Sequence, residues 1–196
     1  MVERELKAVV PDPARVRRSL EAAGAVRTFA GTMADRRFDR DGTLLARDEV
    51  LRVRSYQADD GATRAQIGWK GPVTVADGYK LRPEHEIETP DAAAAEALLT
   101  ALGYQPIHAI DRYVEYYRLD DAVVRIEWYP RMDPLIEVEG GAAAIERAVA
   151  ATGIPRDRFT AESLVAFTAR YRERTGNAAA VSLAELGADR PEWPAR

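Results

Sequence analysis

Glu3-Arg4-Glu5-Leu6-Lys7 is the stretch from which the rest of the chain is read. In an extended strand successive side chains point to opposite faces. Glu3, Glu5 and Lys7 then form one column, while Val2, Leu6 and Ala8 supply most of the other. A half-buried strand ordinarily has one apolar and one wet face. Here the face opposite the apolar one carries two acids and a base, and alone it reads as a surface strand with solvated charge.

The column recurs along the chain. Residues 50–56 put Arg52 and Arg54 opposite Leu51 and Val53, and residues 63–70 put Gln66, Gly68 and Lys70 opposite Ala65, Ile67 and Trp69. Residues 79–88 align Arg82, Glu84, Glu86 and Glu88. In 122–128 Arg125 and Glu127 face away from Val124, Ile126 and Trp128, and in 135–139 Glu137 and Glu139 face away from Ile136 and Val138. Residues 107–118 form a further strand, and residues 27–39 read as extended up to a turn at Arg40-Asp41-Gly42. Leu44 and Leu45 suggest the first arm of a hairpin completed by 50–56.

Between the strands, apolar spacing predicts helices over 14–23, from Thr89-Pro90-Asp91 to a stop at Gly103, over 142–152, and over 161–175. Thr89 is the expected cap of the second and Thr160 of the last. Past Gly176 the chain turns polar, so 1–176 reads as one domain and 177–196 as a flexible tail with a helical turn at 183–186.

A chain of 196 residues buries a core large enough to fold without staples. With no cysteine, thiolate catalysis, Cys-ligated zinc and iron–sulfur clusters are excluded. No basic-then-apolar leader and no membrane-length apolar run is present, which predicts a soluble cytoplasmic protein with no membrane partner. A net charge of -4 argues against general nucleic-acid affinity. Oligomeric state stays open, a homodimer included.

Two arrangements fit the recurring charge. An open sheet packs helices on one side and shows its charged side to water. Alternatively, the sheet curls and the charged faces look inward. Like charges about 4 Å apart cost roughly 4 kcal/mol per pair at an effective dielectric near 20, so such an interior needs a complementary ligand. Acids at Glu3, Glu5, Glu127, Glu137 and Glu139 suit a hard divalent cation such as Mg2+ or Mn2+. Bases at Lys7, Arg52, Arg54, Lys70, Arg82 and Arg112 suit phosphates. A metal-bound polyphosphate satisfies both groups.

The ordered set Glu3-x-Glu5-x-Lys7, Phe38-Asp39, Leu51-Arg52-Val53-Arg54, Trp69-Lys70-Gly71-Pro72, Arg82-x-Glu84-x-Glu86, Arg112, and Glu127 followed by Ile136-Glu137-Val138-Glu139 resembles the CYTH superfamily, the triphosphate tunnel metalloenzymes. The resemblance spans residues 3 to about 139. It implies an α+β fold: an eight-stranded antiparallel β-barrel, flanked by helices, forming a tunnel for a triphosphate. By position it assigns Glu3, Glu5, Glu127, Glu137 and Glu139 to metal (Mg2+ or Mn2+), and Lys7, Arg52, Arg54, Lys70, Arg82 and Arg112 to phosphate. Glu84 and Glu86 would orient those bases or hold a second cation, and Glu5, Lys7 and Arg112 would act in catalysis. The implied activities are hydrolysis of an inorganic or organic small-molecule triphosphate, such as ATP or thiamine triphosphate, and cyclisation of ATP to cyclic AMP with loss of pyrophosphate. A non-catalytic nucleotide or polyphosphate sensor is a third reading. The chain departs from the family pattern in having Ile110 where many members carry a lysine before Arg112, Glu127 where aspartate is usual, and no tyrosine among residues 35–38. The last departure tilts the expectation from inorganic toward organic triphosphates.

Overall fold

The computed structural model describes residues 1–194. Nine strands form one antiparallel sheet: β1 (Val2–Val9), β2 (Val26–Asp39), β3 (Val50–Ala58), β4 (Thr63–Lys70), β5 (Thr74–Ala76), β6 (Tyr79–Thr89), β7 (Gln105–Leu119), β8 (Ala122–Trp128) and β9 (Leu135–Glu139). Their order is β1-β9-β8-β7-β2-β3-β4-β6-β5, and β1 also pairs with β6. That last pairing, Val2 to Glu5 against Lys80 to Pro83, closes eight strands into a barrel. The short β5 pairs with the start of β6 and lies outside the closed ring. The sequence gives β5 no periodic signal, since three residues are too few to show one.

The sheet therefore curls, and the charged columns face inward. The apolar columns face out and are covered by helices α1 (Pro13–Ala22), α2 (Ala92–Ala101), α3 (Ala142–Thr152), α4 (Leu164–Thr175) and α5 (Leu183–Leu186). Leu6, Ile126, Ile136 and Val138 pack with Val16 and Leu20 of α1 and Ile145 and Val149 of α3. Complete burial of each such side chain contributes about 1.5–3 kcal/mol. On the other flank Phe38 and Val53 pack against Ala95 and Leu99 of α2. Among the described residues no helix is long and apolar enough to cross a membrane.

Several local expectations are corrected. Leu44 and Leu45 form no strand. The Asp39 carboxylate accepts from the backbone N–H groups of Arg40, Leu44 and Leu45 at 2.6–3.0 Å, which curls the loop into a 3-10 turn at Leu45–Arg47, and β3 pairs with β2 instead. Helix α2 is capped by Asp91, whose carboxylate accepts from Ala94 N at 3.0 Å. Thr89 is still paired with Ala65 and belongs to β6. Thr160 does not cap α4 because its backbone exchanges hydrogen bonds of 2.9 and 2.8 Å with Lys7, so the helix starts three residues later than expected.

The expected tail is docked over much of its length. Val181 O accepts from Asp111 N at 2.8 Å, and Arg131 and Ala180 exchange backbone bonds. Leu183 N donates to the Asp111 carboxylate at 2.9 Å. Val181 thereby joins Ile110, Tyr129, Met132, Leu135 and Phe167 in a buried cluster. The polar composition hid this because backbone groups and a few small apolar side chains make the contact. Residues 195–196 of that expectation lie outside the described residues.

Candidate active site

The pairing of β1 with β9 builds the first part of the site. Glu5 lies opposite Glu139 and Lys7 opposite Glu137. Because each strand repeats its acid every second residue, Glu3, Glu5, Glu137 and Glu139 converge, with ligand oxygens all within 4.8 Å of one another. Four acids this close repel unless charge is added or protons are taken up. Burial and the nearby charges of Glu137 and Glu3 push the Glu139 carboxyl well above its ordinary value, and Glu139 Oε1 is buried with no hydrogen-bond partner. Glu137 goes the other way: against burial, Arg125 and Lys7 hold it well below the carboxylate range. An all-carboxylate set with an unsatisfied buried oxygen fits a hard divalent cation.

Bases from the other strands face this group. Lys7 Nζ is 2.7 Å from Glu5 and also bonds Glu137. Lys70 Nζ is 2.5 Å from Glu3 and 3.1 Å from Glu84. Arg52 is held at 3.0 Å by Glu84 and at 2.7 Å by Glu86, and the Arg52 guanidinium in turn keeps Glu86 down at about 2 against the effect of burial. Gly68, inward on β4, makes room for that pair: a Cβ there would stand 3.1 Å from Glu86 Oε1 and 3.4 Å from Arg52 Nε. Arg82 sits at the rim, bonded to the carbonyls of Gly71 and Asp48.

The interior opens into two cavities, of about 550 Å³ and 330 Å³. Lys7, Lys70, Lys80, Arg82 and Arg112 line the larger, and Glu3, Tyr56, Glu84, Glu86 and Tyr116 the smaller. Arg52, Arg54 and Arg125 line both and stand between them. The Nε atoms of Arg52 and Arg112 are buried with no hydrogen-bond partner, so donors remain available to an anion's oxygens.

Glu127 lies apart from the carboxylate quartet. It is completely buried, accepts from Arg125 at 2.6 Å and from Tyr129 at 2.5 Å, and is 3.4 Å from Arg112. Although burial opposes it, Arg112 and Arg125 hold its pKa down. A carboxylate occupied in this way serves to fix two arginines.

Four interior groups carry contacts that periodicity alone did not assign. Asp35 is 1% exposed and binds Arg54 through two bonds of 2.5 and 2.9 Å, binds Arg112, and lies 4.0 Å from Arg52. Arg125 joins Glu127, Glu137 and the Tyr116 hydroxyl. Lys80 lies 2.5 Å from Glu5; burial and the charge of Lys7 lower its pKa. Tyr129 bonds Glu127 and Arg112. The Arg125-x-Glu127 alternation and the shared parity of Asp35 and Arg37 were the available signals. Asp35 lay in a stretch whose face could not be fixed before its neighbours were known.

These features define a closed antiparallel barrel with a carboxylate quartet set against a basic cavity. No protein-family model and no curated protein sequence matches the chain. Solved structures do. A candidate adenylate cyclase from Vibrio parahaemolyticus superposes with TM-score 0.72 at 17% identity, covering 86% of this chain and 98% of its own. HpAC1 from Hippeastrum, a candidate adenylyl cyclase described as having a dominant triphosphatase activity, gives 0.61 at 17% identity, covering 90% and 96%. A chain of the Schizosaccharomyces pombe Mediator head module gives 0.53 at 16% identity, covering 76% and 90%. At these identities the likeness is one of fold, and the fold is the barrel that the CYTH resemblance implied.

Proposed function

We propose that the protein is a divalent-metal-dependent phosphoryl-transfer enzyme that takes a triphosphate into the barrel and hydrolyses an organic or nucleoside triphosphate. The observation that carries this reading is the carboxylate quartet facing a cavity lined by arginines and lysines with unpartnered donors. Glu3, Glu5, Glu137 and Glu139 hold Mg2+ or Mn2+. When bound, the cation neutralises phosphate oxygens and acidifies water. Lys7, Arg52, Arg54, Lys70, Arg82 and Arg112 bind the phosphates, and Glu84 and Glu86 hold Arg52 and Lys70 in position. Glu127 moves from the metal set to the positioning of Arg112 and Arg125.

Phosphoryl transfer is mainly alignment and charge neutralisation. Glu5 accepts the proton of an attacking water, while Lys7 and Arg112 offset charge on the transferring phosphoryl group as its bond to the bridging oxygen breaks. A second reading, favoured by how the Vibrio neighbour is described, is cyclisation: a ribose 3′-hydroxyl attacks the α-phosphorus and pyrophosphate leaves.

Incubation with ATP and Mn2+, with products separated by chromatography, tests the choice. ADP or AMP without a cyclic product supports hydrolysis. Cyclic AMP with pyrophosphate makes the protein a cyclase. Tight metal-dependent triphosphate binding without turnover makes it a sensor.

A further inference from the structure

Strand β2 lays Arg37 directly across from Arg52 on β3 and from His108 on β7, and Arg37 lines the larger cavity. Like charges directly opposite on neighbouring strands destabilise a sheet. Arg52 is compensated by Glu84 and Glu86. Asp35, two residues before Arg37 on the same face, is already engaged by Arg54 and Arg112. The Arg37 Nε is buried with no hydrogen-bond partner. Burial together with the charges of Arg52, Arg112 and Arg82 brings its pKa down to about 10, Asp35 opposing them, so it remains a cation at neutral pH with its charge poorly offset. His108 beside it is disfavoured as a cation, first by burial and then by Arg37, and Ile110, next along β7, adds no charge. An unpaired buried donor is retained at a cost of about 1–3 kcal/mol, and a ligand oxygen removes that cost.

We propose that Arg37 is a further anion-binding residue of the barrel and grips the phosphoryl group lying toward the cavity rim at Asp48, Arg82 and His108. Reaching in from β2, it supplies on the neighbouring strand the positive charge that Ile110 leaves out of β7. This rests on the triphosphate reading above and adds a contact that decides how tightly the outermost phosphate is held.

The test is calorimetry of inorganic tripolyphosphate binding in Mg2+, with thermal melts, on full-length Arg37→Gln, Arg37→Lys and unmodified protein. Arg37→Gln should bind about 10- to 100-fold more weakly, the range for a hydrogen bond to a charged group. Arg37→Lys should recover part of the loss, since it keeps the charge and loses the fork. Without ligand, Arg37→Gln should melt at or above the unmodified protein, because it removes a poorly compensated charge. Unchanged affinity in Arg37→Gln, or weaker binding accompanied by a lower ligand-free melting temperature, overturns the assignment and leaves the triphosphate reading intact. Failure of the unmodified protein to bind tripolyphosphate overturns the assignment, and failure to bind ATP in Mg2+ as well overturns the triphosphate reading with it.

Discussion

Asp35, itself 1% exposed, gathers Arg54 and Arg112 directly and approaches Arg52. Removing one partner of a buried ion cluster leaves uncompensated charge, and Asp35→Asn should destabilise the protein by about 3–5 kcal/mol in urea unfolding. Against burial, Arg54 and Arg112 hold the folded Asp35 carboxyl well below its ordinary value of 3.8. Its contribution is therefore complete above that value and is lost as pH falls through the folded pKa. The unmodified protein should lose stability more steeply with acid than Asp35→Asn does. Glu139 has the opposite sign. Its pKa is raised above 4.5, so the metal-free protein loses stability from this group as pH rises from 4.5 toward the folded value. Glu139→Gln should match or exceed the metal-free melting temperature of the unmodified protein at neutral pH and lose the upward shift caused by Mn2+. An undiminished Mn2+ shift in that variant would remove Glu139 from the metal set. Glu5→Gln and Glu137→Gln should abolish metal-dependent turnover, measured as product release.

At the scale of elements, β4 contributes a missing side chain as much as its present ones. A methyl group at Gly68 would crowd Glu86 and Arg52, so Gly68→Ala should push that pair off its position and weaken tripolyphosphate binding several-fold, while the outward Ile67 and Trp69 keep the strand in place. Equal affinity in calorimetry would show that the pair has room to adjust. The elements also separate what alternation reveals from what it hides. Strands β1, β3, β4, β6, β8 and β9 were legible because two-residue periodicity is a property of the local chain. The caps of α2 and α4 were misread because Thr89 and Thr160 are engaged by distant strands, and the docking of Val181 on Asp111 is a contact between residues seventy positions apart. Glu127 shares the parity of the quartet acids, yet its partners are Arg125 of its own strand, Arg112 of β7 and Tyr129. Parity gives the face of a residue and leaves its neighbours undetermined.

For the whole molecule, acids and bases share one interior and neutralise each other in the absence of ligand. Lys7, Lys70 and Lys80 are held by Glu5, Glu3 and Glu137; under the proposed function, a cation bound by those acids would free the ammonium groups for phosphate. Mg2+ and tripolyphosphate should therefore bind with positive coupling, about 1–3 kcal/mol, each raising the affinity of the other by the same factor. Titrating each ligand with and without the other measures this; independent binding would mean that the two charge sets act separately.

Closure of the ring by β1 against β6 and β9 carries a kinetic consequence. β1 ends at Val9, whereas its neighbours begin at Tyr79 and Leu135, so the seam joins segments far apart along the chain. Contacts of large sequence separation slow folding because loop entropy is lost before they form. The carboxylate quartet straddles one side of that seam, so the cation site proposed there is assembled only once the seam is closed. In refolding from urea, recovery of Mn2+ binding should track the slowest phase, later than the recovery of helical signal.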